Sequence, residues 1–123
     1  MLNRLSKEFD NYVGNISYGF DDDFVGDNTY DLYAHGKSND NDICHSFITV
    51  EIIFNDSSPY EVMVSLYMKC NEDGNLYGKC SSTSSFDVGE ESKMISYVKR
   101  YLDSFKELTT LTEKINNLFN KFH

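Results

Sequence analysis

The residues of this chain that could do chemistry are its carboxylates, three cysteines and three histidines. Twenty acids face eleven bases, a net charge of −9 over 123 residues. The acids crowd one segment, where Asp21, Asp22, Asp23, Asp27, Asp31, Asp40 and Asp42 stand against Lys37 alone. Paired carboxylates serve general acid–base catalysis, but with so many acids a pair can be drawn anywhere, so no pair is informative. Calcium needs a stricter pattern: acids or amides at loop positions 1, 3 and 5, Gly at 6 and Glu at 12. A loop starting at Asp21 has Asp23 at position 3 and Gly26 at 6, but Val25 at 5 and Leu32 at 12. The motif fails, and a start at Asp40 finds no glycine in place.

Cys44, Cys70, Cys80, His35 and His45 offer zinc-ligand chemistry but no C-x-x-C and no H-x₃₋₅-H spacing. Cys44 and His45 are neighbours, so on a strand they point to opposite faces and cannot form a nucleophile–base pair. Cys70 and Cys80 flank Asp73-Gly74; a turn centred there sets Cys70 opposite Tyr77 and Cys80 opposite Tyr67, too far offset for a disulfide. An odd cysteine count without a signal peptide predicts reduced, metal-free thiols. The seven glycines stand singly, and none builds a phosphate-cradling loop. The expectation is a non-enzyme without cofactor or catalytic residues.

These residues must be positioned by a single compact domain spanning 1–123. Hydrophobic residues make up 40% and aromatics 15%, enough for a core. Leu2, Leu5, Phe9 and Val13 mark one face of a short N-terminal helix, with Gly14 at its end. Ile16 to Phe20 alternates as a short strand, which the aspartate-rich stretch 21–28 interrupts. Period-two alternation then runs from Tyr30 to Cys80, strongest over Ile43–Phe54 and Tyr60–Met68. Ser81–Ser85 reads as a loop or a fraying strand end. From about residue 91 the spacing turns helical: Met94, Val98, Leu102 and Phe105 form one stripe, and Leu111, Ile115, Leu118 and Phe122 a second. Thr110-Leu-Thr-Glu113 fits a capping box. One continuous helix would span roughly 48 Å, more than a domain this small covers, so a break near Thr109 is expected. The predicted fold is α+β: an antiparallel meander of four to five strands, a short N-terminal helix, and one or two C-terminal helices on one sheet face. Ile48, Val50, Ile52, Val62, Val64 and Leu66, joined by Val98, Leu102 and Phe105, should form the core.

Charge then bounds the partner. Residues 1–89 carry 15 acids and 5 bases, residues 90–123 only 5 acids and 6 bases. So acidic a surface is repelled by nucleic acid and by anionic membrane, and no window is apolar enough to span a bilayer. The N-terminus lacks the apolar stretch of a signal peptide, which predicts a cytoplasmic protein. A solvated acidic loop is the bland account of the aspartates. The functional one is a surface that docks on a basic groove: Asp21, Asp22, Asp23, Asp27, Asp31, Asp40 and Asp42 pair with Arg and Lys there, and Tyr18, Tyr30 and Tyr33 serve as anchors.

In size, acidity and lack of catalytic motifs, the whole chain resembles small phage-encoded inhibitors such as the DNA-mimicking anti-CRISPR proteins. That resemblance implies a non-catalytic inhibitor acting in the host cytoplasm, monomeric or homodimeric, on a basic nucleic-acid-binding protein such as a nuclease effector. Immunity proteins that neutralise nuclease toxins share this character. The third alternative is a structural subunit that dimerises through its C-terminal helices, with the acidic face merely solubilising.

Overall fold

The computed structural model describes residues 2–14, 17–24, 28–37, 42–54, 60–70, 76–87 and 89–122, with backbone alone at 2, 3, 17–24, 70 and 76–78. The chain runs α1 (Leu2–Val13), β1 (Ser17–Phe24), β2 (Thr29–Gly36), β3 (Cys44–Ile53), β4 (Tyr60–Cys70), β5 (Leu76–Phe86) and α2 (Glu91–Asn120). The described strands form one antiparallel sheet in sequential order, β1-β2-β3-β4-β5. This is the α+β meander with both helices on one face.

Strict alternation builds the covered face. Leu32, Ala34, Ile48, Val50, Ile52, Val62 and Val64 are wholly buried against Leu5, Phe9 and Val13 of α1 and Met94, Val98, Leu102 and Phe105 of α2. All nine expected core residues are buried there. The two helices are joined by an ion pair of Lys99 with Glu8 at 2.6 Å.

Four expectations are corrected. First, Asp21–Asp23 do not interrupt a strand; they lie within β1, paired to β2 as far as Phe24–Tyr30. An edge strand has a free side toward water, and charges there block edge-to-edge pairing. Second, Ser81–Ser85 continue β5 at the other edge, where Ser65 and Ser81 hydroxyls bond at 2.9 Å and Ser82 bonds Tyr97 of α2 at 2.7 Å. Third, the β4–β5 register is shifted by one: Cys80 lies opposite Leu66 and Tyr67 opposite Lys79, with an irregularity at Met68/Lys69. Cys44 is a buried thiol and Cys80 an exposed one.

Fourth, α2 does not break near Thr109. The hydroxyls expected to cap a new helix bond backwards instead, Thr110 to the Lys106 carbonyl at 3.1 Å and Thr112 to the Leu108 carbonyl. The sheet-facing stripe runs unbroken through Met94, Val98, Leu102 and Phe105 into Thr109, Thr112 and Asn116. Its chemistry changes from apolar to polar because the sheet beneath it changes. The Phe54 N–H donates to the Asn28 carbonyl at 2.8 Å, so even-numbered β3 residues aim their peptide groups at β2. Pairing with β2 extends as far as His35–Phe47, leaving Cys44 beyond it. Asn116 reaches it from α2: its carboxamide oxygen accepts the Cys44 N–H and its Nδ2 donates to the Cys44 carbonyl, both at 2.9 Å. Ser46 bonds Thr109 at 3.1 Å beside it. A Cβ on Gly36 would stand 2.2 Å from Ser46 Oγ and 3.0 Å from Thr109, so this close approach requires glycine.

Candidate functional site: the open face of the sheet

Both helices pack on one side, so the odd-numbered residues of β2–β4 form a face without a covering element among the described residues. Antiparallel sheets tolerate one solvated face, and its side chains are free to serve recognition. Two chemistries divide this face.

Near the start of β2 lies a row of acids. The register sets Asp23 opposite Asp31 and Asp31 opposite Glu51. Like charges directly opposite one another destabilise a sheet. Neither Asp31 nor Glu51 takes part in the ion pairs Glu90–Lys93 and Glu8–Lys99. The Oδ1 atom of Asp31 is buried without a hydrogen-bond partner, and burial pushes its carboxyl above the usual aspartate range.

Four residues further along β2, about 13 Å away, the face turns aromatic and basic. Phe47 and Tyr67, opposite each other on β3 and β4, stack at 4.9 Å with their planes 12° apart. Tyr33 and His35 lie 6.1 and 6.5 Å from the Phe47 ring. The Lys69 ammonium sits 5.6 Å from the centroids of both Phe47 and Tyr67, within cation–π range. Desolvation in this cluster raises the Tyr67 hydroxyl pKa.

The expected site residues fare unequally. Asp31 and Tyr33 lie on the open face. Tyr30 does not: it is 6% exposed and belongs to the core, because even-numbered β2 residues face the helices. Asp42 is 7% exposed and held at the C-terminal end of α2, where Asn120 Nδ2 donates to its carboxylate at 3.5 Å. Neither is a docking residue. Tyr18, Asp21, Asp22 and Asp23 belong to β1, where the register places Asp21 opposite Tyr33 and Asp22 opposite Leu32. Asp27 and Asp40 lie outside the described residues.

Phe47, Glu51, Tyr67 and Lys69 were missed as site residues. Their signal is the second half of the alternation: a sheet covered on one face presents those positions on the other. Among the described residues no group of three or more His, Cys, Asp or Glu could hold a metal ion. No helix among them is long and apolar enough to cross a membrane. No family model, curated protein or solved structure matches this chain.

Proposed function

We propose that this chain is a non-catalytic inhibitor whose acidic sheet occupies a basic nucleic-acid-binding surface of a target protein, such as a nuclease effector. Asp31 Oδ1, buried without a hydrogen-bond partner in its row of acids, carries the reading. A buried carboxylate oxygen without a donor costs free energy in the free protein, and an incoming Arg or Lys removes that cost. The charge distribution agrees. Residues 15–89, which hold the sheet, carry 13 acids and 3 bases, whereas both helices together are close to neutral. Tyr33, Phe47 and Tyr67 supply aromatic area beside the acids, the residue types that anchor interfaces. The inhibitor acts in the cytoplasm, that of the host if the chain is phage-encoded. A defence nuclease and a nuclease toxin present the same basic chemistry, and the captured target tells the inhibitor from the immunity protein.

The test is affinity capture from host lysate with the parent chain and an Asp23→Asn/Asp31→Asn/Glu51→Gln variant. The parent should retain a basic nucleic-acid-binding protein at low salt and release it as salt rises or as duplex DNA or RNA is added. The triple variant should capture at least tenfold less. Equal capture by parent and variant at low salt rejects the charge-based mechanism.

A further inference from the structure

The second half of α2 carries an apolar stripe that the fold turns outward. At 100° per residue, Leu111, Ile115 and Leu118 lie roughly 130° around the helix axis from Thr109, Thr112 and Asn116, which face the sheet, and Phe122 follows just past the end of α2. Leu111 is 51% exposed, Leu118 58% and Phe122 79%, with Phe119 alongside at 38%. Buried apolar side chains stabilise; exposed ones in a row mark an interaction surface.

The spacing specifies the shape of the partner. Leu111, Ile115, Leu118 and Phe122 follow one another at intervals of 4, 3 and 4 residues, the alternation of a coiled-coil seam. Such a seam fits another helix of the same periodicity. Charge specifies whose helix it is. A basic partner is drawn to the sheet, where residues 15–89 carry the net −10, and not to residues 90–123, which net +1. A second copy of this chain is repelled at the acidic sheet but not at the near-neutral helices, and of these α2 brings the identical exposed seam.

We infer that two copies of this chain pair through the second halves of their α2 helices, antiparallel about a two-fold axis. The antiparallel arrangement follows from the same charges: parallel helices would set two acidic sheets side by side. An isologous contact of this kind closes at two copies. The seam from Leu111 to Phe122 is about 18 Å long, small against the ~1,000 Å² that a stable interface clears. The dimer is therefore a weak one. It leaves both open sheet faces free, and it does not depend on what those faces bind.

Sedimentation equilibrium on the full chain, from about 5 µM to about 500 µM, tests the pairing. The average mass should rise from one chain to two. Raising salt from about 50 mM to about 500 mM should tighten association at least threefold, because it screens repulsion between two acidic molecules. Docking of the sheet on a basic target has the opposite salt dependence, so the two interactions are told apart. A Leu118→Glu/Phe122→Glu variant should stay at one chain mass throughout with the parent's melting temperature, since both positions are exposed. Should that variant misfold, Leu111→Ala/Leu118→Ala decides: association weakens at least tenfold with melting unchanged. A parent that remains monomeric at the highest concentration, a variant that associates as the parent does, or a mass beyond two chains overturns the inference.

Discussion

The two faces of the sheet are made from the same strands and do opposite things. On the covered face, Leu32, Ile48, Val50, Ile52, Val62 and Val64 are wholly buried and uninterrupted by charge. On the open face, their immediate neighbours include Asp31, Glu51 and Glu61 at one end and Phe47, Tyr67 and Lys69 at the other. A period of two places stability on one set of residues and recognition on the other, so each can be changed without the other. The sharpest test uses adjacent residues of β3. Ile52→Ala should cost about 2–4 kcal/mol by the transfer and cavity terms, and Val64→Ala, on β4 of the same covered face, a comparable amount. Glu51→Gln, one residue away, should move stability by less than about 0.5 kcal/mol. Urea unfolding of the three variants measures this, and similar losses at 51 and 52 would erase the distinction between faces.

The covered face has one polar corner, and it belongs with the core in energetic terms. Asn116→Ala removes both hydrogen bonds to the buried Cys44 backbone, a loss of about 2–3 kcal/mol. Asn117→Ala, next to it but exposed, should change stability by less than about 0.5 kcal/mol. Amide exchange gives an independent readout: Cys44 N–H should lose its protection in the Asn116 variant and keep it in the other.

That corner is also where the sequence is hardest to read. Alternation marks the covered face because each apolar residue there meets another, and the pattern needs no knowledge of the partner. The second half of α2 breaks this logic. Its apolar residues predict an inward stripe of Leu111, Ile115, Leu118 and Phe122, yet Thr109, Thr112 and Asn116 face inward. The cause lies 70 residues earlier in the chain. Among the described residues β2 pairs with β3 as far as His35–Phe47, and beyond it the helix supplies hydrogen bonds to β3. No local pattern in residues 109–122 records where β2 stops. Among the site residues, Asp31 and Tyr33 are legible from charge and alternation. Tyr30 and Asp42 share that composition but fall on the wrong parity or under the helix end. Phe47, Tyr67 and Lys69 come together only through the β2–β3–β4 register.

Gly36 bounds the same corner from the sheet side. Gly36→Ala forces a methyl group to within 2.2 Å of Ser46 Oγ and should cost about 1–3 kcal/mol. Ser46→Ala removes the obstructing hydroxyl together with its bond to Thr109. The double variant should therefore lose less than the two single losses added, by about 0.5 kcal/mol or more, since the residues share one space. Strict additivity would mean that the helix, not Ser46, meets the new methyl group.

The smallest effect is the most informative for function. Asp31 has its carboxyl pKa raised by burial, so the folded chain holds that proton more tightly than the unfolded chain does. For an acid shifted upward, unfolding free energy falls as pH rises from the unfolded pKa through the folded one, and the loss persists at neutral pH. Asp31→Asn removes the titration. The variant should match the parent's melting temperature well below the ordinary aspartate pKa of 3.8, then gain on it as pH rises. At neutral pH the gain should be a few tenths of a kcal/mol, because a partly solvated carboxylate feels only part of the penalty. Binding should move the other way, since the same carboxylate is the group that a cationic side chain of the target would satisfy. Opposite signs for stability and binding at one residue distinguish a recognition group from a structural one. If Asp31→Asn lowers the melting temperature at neutral pH, the carboxylate is serving the fold, and the open face loses the residue on which its acidic end depends.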